Sequence, residues 1–222
     1  VVSLGTDPAL FHPGVPTAAV RGRYRLDGGG RWMMTVARLV PHKGVDVALQ
    51  ALARLAPDHP QLCYAVVGQG PHQPALESLA AQLGVSERVR FLNDVSDADL
   101  PALYNVADFY VGVSRQAGLD VEGFGISLME ASASGLAVVA GRSGGMPDAV
   151  ADGETGVLVD SEDPRAVAGA IASLLADPER VRQLGENGRR AVEQRFTWDR
   201  VVSDLQAISR DLTAGRSARP PH

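Results

Sequence analysis

The stretch WMMTVARLVPHKGVDVALQALARLA, residues 32–56, decides the fold. It opens with a β-rich apolar run over 32–37, crosses a proline turn, and continues as GVDVALQALARLA with apolar residues at three- and four-residue spacing. A strand too apolar for a wet face, followed at once by an amphipathic helix, is the unit of a parallel sheet covered on both sides. The alternation recurs outward from there. Further strands are expected over 62–68, 89–92, 108–113, 136–141 and 156–160, with QPALESLAAQLG, DADLPALYNVA and GISLMEASASG as crossover helices and Gly84 and Gly135 as helix stops. After DGETGVLVD, whose Asp152–Gly153 pair suits a tight turn, three helices follow in a row. Ser161, Asp163 and Pro164 open the first, Asp177 and Pro178 the second, and Thr197 caps the third. The expectation is an α/β, doubly wound parallel sheet of about six strands finished by consecutive helices.

The bulk properties narrow the function classes. The 222 residues are 45% hydrophobic, enough to fill a substantial core. A net charge of −5 from intermingled signs argues against a sequence-independent nucleic-acid binder and gives no polybasic membrane patch. The single cysteine, Cys63, lies in the apolar run LCYAVVG with nothing beside it to activate a thiolate, so it reads as a structural thiol in a reducing compartment. No targeting segment or spanning run is visible, and a cytoplasmic protein is expected. The opening VVSLGTDPALFHP has no initiator methionine and reads as a piece of something longer.

Doubly wound sheets bind ligands at the carboxyl ends of their strands, so the loops there are where chemistry is to be sought. In ARLVPHKGVD, Arg38 and Lys43 flank a proline turn before a helix. A forked guanidinium and an ammonium there suit a diphosphate, and two solvated loop cations are the plain alternative. In VVGQGP, Gly68 and Gly70 follow a strand, but Gln73 stands where the dinucleotide fingerprint needs glycine, which excludes a nicotinamide or flavin site. Gly68 allows backbone to approach a ligand, or serves an ordinary turn.

GLDVEGFGISLMEASASG, residues 118–135, holds Glu122 and Glu130. A helix starting near Gly125 offers its free N–H groups and positive dipole end to an anion, with Glu122 before it and Glu130 more than a turn inside. At about 1.5 Å per helical residue the carboxylates are on the order of 10 Å apart, which suits a molecule with hydroxyls at both ends and phosphates between, as in a sugar nucleotide. The alternative puts Glu122 at the surface and Glu130 in water, but Leu128, Met129, Ala131 and Ala133 around Glu130 favour a half-buried carboxylate that wants donors. Asp97–Asp99 has the look of a metal-binding Asp-x-Asp, yet it follows Ser96 and opens a helix, where acidic residues are favoured anyway. His12, His42, His59, His72 and His222 show no ligand spacing, and His42 reads as a bystander of the phosphate loop.

With these residues in hand, the chain resembles the C-terminal domain of retaining glycosyltransferases of family 4, which have the two-domain GT-B fold with Rossmann-like halves. LGTDPALFHP is similar to the family's interdomain segment, ARLVPHKG to its Arg-x4-Lys-Gly donor loop and EGFGISLME to its Glu-x7-Glu motif; VVAGRSGGMPDAVADGETGVLVD and RFTWDRVV also fit. The wording GLDVEGFGI is similar to phosphatidylinositol-mannoside mannosyltransferases, which use GDP-mannose. The resemblance implies an interdomain segment over 1–13, a nucleotide-sugar-binding domain over 14–196, a helix over 197–212 packing toward an absent N-terminal domain, and a tail over 213–222.

It also implies roles. Arg38 and Lys43 hold the donor diphosphate and Glu130 the ribose hydroxyls. Glu122 contacts the sugar, Gly123, Phe124, Gly125 and Ile126 supply backbone contacts, and Gly68 and the loop around Val95 lie near phosphates and base. No cofactor and no metal is implied, and the departing phosphate oxygen takes the acceptor's proton. The acceptor, a glycan, lipid or small molecule, is met mostly by the absent domain, which would also carry any peripheral attachment at the inner membrane face. Two other readings stand beside this one: a sugar-nucleotide 2-epimerase of the same fold, and a non-catalytic nucleotide-sugar-binding module.

Overall fold

The computed structural model describes residues 4–27 and 29–217. Six parallel strands, β1 (Arg31–Val36), β2 (Leu62–Val67), β3 (Val89–Leu92), β4 (Phe109–Gly112), β5 (Ala137–Gly141) and β6 (Val157–Val159), form one sheet in the order β3-β2-β1-β4-β5-β6. Each strand found lies within a residue or two of the expected bounds. The sequence runs outward from β1 to β3, then returns to β4 and runs to the other edge. That reversal leaves a crevice between β1 and β4 at their carboxyl ends.

Side-chain alternation along the strands divides the core in two. Met33, Tyr64, Val66, Phe109, Val111 and Val139 face α2 (Val45–Leu55), α3 (Gln73–Gln82) and α7 (Pro164–Ala176). Met34, Ala65, Tyr110, Val138 and Ala140 face the opposite layer, built from α1 (Ala18–Tyr24), α4 (Leu100–Tyr104), α5 (Ile126–Ala133) and α8 (Pro178–Arg195). Because both faces are covered, nearly every strand residue is apolar and buried, which is why period-2 polarity is missing from the sequence.

The closing helices start where their caps predict. The Asp163 carboxylate accepts from the Arg165 N–H at 2.8 Å, Asp177 from Arg180 at 3.0 Å, and Thr197 Oγ1 from Arg200 at 3.3 Å. Ser161, expected to share in the first start, is instead buried two residues before the cap. The last helix, α9 (Trp198–Ser217), continues past the expected end at 212 into residues assigned to a tail. The reason is local: 213–217 contains no proline, and one internal glycine costs only about 1 kcal/mol. The rest of that tail, 218–222, lies outside the described residues, as do Val1–Ser3 of the opening segment.

Two short helices escaped the sequence reading. They are α1 and α6 (Met146–Ala149), too brief to show a period. The segment before α1 is fixed to the domain. The Thr6 N–H donates to the Phe196 carbonyl at 2.8 Å, Phe11 is buried edge-on against Tyr104 at 5.6 Å, and Asn105 is bonded to His12 and Gly14 at 2.9 and 2.8 Å. Cys63 is partly buried at the edge of the core, and burial pushes its thiol pKa up, consistent with an inert thiol. Among the described residues, no helix is long and apolar enough to cross a membrane.

Candidate functional site

The loop from β1 to α2 and the loop from β4 to α5 meet over the crevice, and they bring together residues 79 positions apart in sequence. Leu39, fully buried, pins the first loop; its N–H donates to the Gln69 carbonyl at 2.8 Å. A short 3-10 turn over Pro41–Lys43 then aims Lys43 across the crevice, where its ammonium donates to Glu122 Oε2. The Ser114 hydroxyl donates to the same oxygen at 3.2 Å. The side chains of Lys43 and Glu122 are 21% and 15% exposed, so the pair is largely withdrawn from water. Burial alone would raise the Glu122 pKa, but Lys43 and Ser114 outweigh it and hold the carboxyl below its ordinary value.

Arg38 is on the same loop but exposed, and among the described residues its side chain makes no hydrogen bond or ion pair. The Asp46 carboxylate of α2 receives a bidentate pair from Arg115 at 3.0 and 2.9 Å, and the Arg115 N–H donates to the His42 carbonyl at 2.8 Å. This ties the start of the second loop to the first. At its other end the Gly145 N–H donates to the Glu122 carbonyl at 3.0 Å, and a Cβ on Gly145 would lie 2.0 Å from the Gly123 oxygen, so only glycine permits this backbone contact.

Gly125, in the left-handed conformation, caps α5, and Phe124 beside it is buried against Phe196 at 5.6 Å. Gly123 and Ile126 are exposed. Lys43, Glu122, Gly123, Phe124, Gly125 and Ile126 line a cleft of about 300 Å³ that opens over the start of α5. The cleft therefore combines a cation, a carboxylate and unsatisfied helix N–H groups, the elements an anion-bearing ligand needs.

Glu130 faces away from that ion pair. Its Oε2 accepts from the Tyr104 hydroxyl at 2.7 Å, and Asp97, from the loop between β3 and α4, lies close enough to act on its charge. Burial raises the Glu130 pKa, Tyr104 lowers it and Asp97 raises it again, leaving it above its ordinary value. Val95, half-buried in the same loop as Asp97, lies on this second side. The two glutamates thus look toward different loops, one on each side of the first turn of α5. Gly68 ends β2 with φ +129°, and a Cβ there would lie 2.1 Å from the Ala37 carbonyl oxygen. Its lack of a side chain serves contact between two loops, so it supports the loop of Arg38 from behind.

Sequence reasoning assigned Lys43 and Glu122 separately to a ligand and did not foresee that they pair with each other. It also missed Tyr104, Ser114, Arg115 and Asp46. Tyr104 had the spacing of a core residue in LPALY, and no local signal marks its hydroxyl. Asp99, half of the Asp-x-Asp, is engaged by Arg23 at 2.5 Å and Tyr24 at 2.8 Å, and among the described residues no cluster of three or more metal-ligating side chains forms.

The family model described as glycosyl transferases group 1 matches residues 18–191, a span that takes in every one of these site residues. The chain belongs to that family. One relative, the GDP-mannose-dependent alpha-(1-6)-phosphatidylinositol monomannoside mannosyltransferase of Mycolicibacterium smegmatis, is 43% identical over 97% of this chain and 56% of its own length. Among solved structures, sucrose-phosphate synthase from Thermosynechococcus elongatus superposes with a TM-score of 0.83 at 30% identity, covering 96% of this chain and 52% of the other. Anabaena Alr3699/HepE in complex with UDP and glucose gives 0.81 at 27% identity, covering 96% and 56%. The glycosyltransferase fold expected from the resemblance is the one observed. This group 1 chain spans about half the length of the curated relatives it matches.

Proposed function

We propose that the chain is the donor-binding part of a retaining glycosyltransferase. It takes a hexose, in our reading mannose from GDP-mannose, from a nucleotide-diphosphate sugar and delivers it to a hydroxyl of a glycan, lipid or small-molecule acceptor, without a metal or cofactor. The observation that carries the reading is the crevice itself: Lys43 and Glu122 converge at the start of α5 with Arg38 uncommitted beside them, while Glu130 looks toward the Val95 loop. The relative named as GDP-mannose-dependent and the HepE complex with UDP support a nucleotide sugar as the ligand class.

In this reading the diphosphate displaces Glu122 from Lys43 and takes its place, with Arg38 and the N–H groups of α5 completing the cradle. Glu122, retaining Ser114 as a donor, turns to the sugar hydroxyls. As the bond from the anomeric carbon to the phosphate oxygen breaks, the charge gathering on the diphosphate meets Arg38, Lys43 and the helix end, which were placed before the reaction began. The acceptor oxygen bonds to the anomeric carbon on the face the phosphate leaves, and its proton passes to the departing phosphate oxygen. Glu130 holds the ribose, and the Val95 loop with Gly68 behind it borders phosphates and base. An N-terminal part supplies the acceptor contacts and any peripheral attachment to the inner membrane face of the cytoplasm.

The test is calorimetric titration of the chain with GDP, UDP and ADP, repeated on Lys43→Ala and Glu130→Ala. GDP is expected to bind in preference, and each substitution to weaken it by about tenfold or more, equivalent to about 1.4 kcal/mol. Wild-type affinity in Glu130→Ala would remove the ribose assignment. Preference for UDP would replace the mannose donor with another sugar nucleotide.

A further inference from the structure

Among the described residues, no cation pairs with Glu130. Of the groups that face it, Tyr104 comes from α4, Tyr110 from β4 and Asp97 from the loop after β3. The Tyr110 hydroxyl is engaged elsewhere, with Ser127 Oγ at 2.8 Å and the Val36 carbonyl at 3.2 Å. Arg189, on the packed helix α8, pairs with Glu193 at 2.7 Å instead. Asp97 adds a second negative charge. Among the described residues, Tyr104 is therefore the side chain that donates a hydrogen bond to this half-buried carboxylate.

Tyr104 itself cannot move far. It is fully buried, its ring takes Phe11 edge-on at 5.6 Å and lies 6.1 Å from Tyr110, and the adjacent Asn105 is bonded to the backbone of residues 12–14. Burial and the charge of Glu130 push its phenol well above the ordinary value, so it remains a donor across the physiological range. We propose that Tyr104 is the positioning residue of the donor site: its hydroxyl fixes Glu130 Oε2 and so presents Oε1, to which no described group donates, to the ribose diol of the nucleotide. The inference rests on the reading of Glu130 given above and adds a residue that never touches the ligand.

The role has a pH signature. A diol donates its two hydroxyls more strongly to an ionised carboxylate, which is acceptor-only, than to the protonated acid. Tyr104 is the one neighbour that lowers the Glu130 pKa, so removing its hydroxyl lets burial and Asp97 raise that pKa further. Tyr104→Phe keeps the ring and the packing. The experiment follows the Glu130 carboxyl carbon by NMR from pH 3.5 to 9 in wild type and Tyr104→Phe, and in parallel measures GDP affinity by calorimetry between pH 6 and 8.5.

The expected result is an upward move of the Glu130 titration midpoint, with GDP affinity reduced about tenfold and the reduction greatest at the acid end of the range. A purely structural tyrosine would lower the melting temperature and leave the Glu130 midpoint and the GDP affinity unmoved, and that outcome overturns the inference. Should the Glu130 midpoint move while Glu130→Gln binds GDP like wild type, the positioning of the carboxylate stands and the ribose reading fails. If neither GDP nor UDP binds wild type, the donor reading fails and the NMR midpoint alone decides the role of Tyr104.

Discussion

Replacing Lys43 with methionine keeps most of the side-chain volume and leaves Glu122 with one donor, Ser114, in a setting where 15% of its side chain is exposed. Exposed ion pairs contribute about 0–1 kcal/mol, whereas removing one partner of a fully buried pair costs about 3–5 kcal/mol. With both side chains roughly four-fifths covered but the crevice open to water, the expected loss is about 2 kcal/mol at pH 7. For a domain of this size that corresponds to a fall in melting temperature of roughly 4–8 °C. The sign with pH follows from Glu122, whose folded pKa lies below its unfolded value. Its stabilisation is present in full above the unfolded carboxylate range and is lost as pH falls through the lower, folded value. The gap between wild type and Lys43→Met should therefore be widest near neutrality and close in strong acid, read by thermal melts at pH 7, 5 and 3. A second substitution, Glu122→Gln, should restore much of the loss at pH 7 by removing the orphaned charge. An undiminished gap at pH 3, or no gap at pH 7, would show that the pair does not carry the electrostatics assigned to it.

Other predictions separate binding from folding. Arg38→Ala, at an exposed residue without a described partner, should change unfolding free energy by less than about 0.5 kcal/mol in urea titration while weakening GDP binding about tenfold or more. Gly145→Ala should displace the Glu122 backbone, because its methyl carbon would sit 2.0 Å from the Gly123 oxygen; a clear drop in the urea midpoint together with weakened GDP binding is expected, and wild-type values for both would refute the contact. Cys63, its thiol raised by burial, should react with a disulfide reagent at pH 7.5 far more slowly than free cysteine and reach free-thiol rates only on unfolding.

The sheet was legible in the sequence because parallel strands covered on both sides are continuous apolar runs, and the crossover helices between them carry a different period. Asp163 and Asp177 were legible because a cap is a local event involving a side chain and an N–H two or three residues on. The strand order was not local information, and with it went the meeting of Lys43 with Glu122. Each residue had been recognised as suited to a ligand, but only the return of the chain to β4 beside β1 lets them pair with each other. Tyr104 was hidden for another reason. A tyrosine at a core position reports its ring through helical spacing and says nothing of its hydroxyl, whose partner lies 26 residues on.

The connection between β4 and α5 covers residues 113–125, yet Arg115 is fastened to Asp46 and the Glu122 carbonyl to Gly145. Between these ties, 116–121 make a small turn in which Ala117 and Asp120 exchange backbone hydrogen bonds at 2.9 and 3.1 Å, with the fully exposed Leu119 at its tip. Loop-closure entropy varies as the logarithm of length, and halving the span to be closed lowers it by about 0.6 kcal/mol. The larger effect is on binding: a ligand arriving at Gly123 and Gly125 meets main chain that folding has already ordered, and it need not order that segment again. The exposed turn at 116–121, by contrast, can lengthen or change composition without disturbing the carboxylate that follows it, so variation in reach across the crevice can accumulate there while the anchored end stays in place.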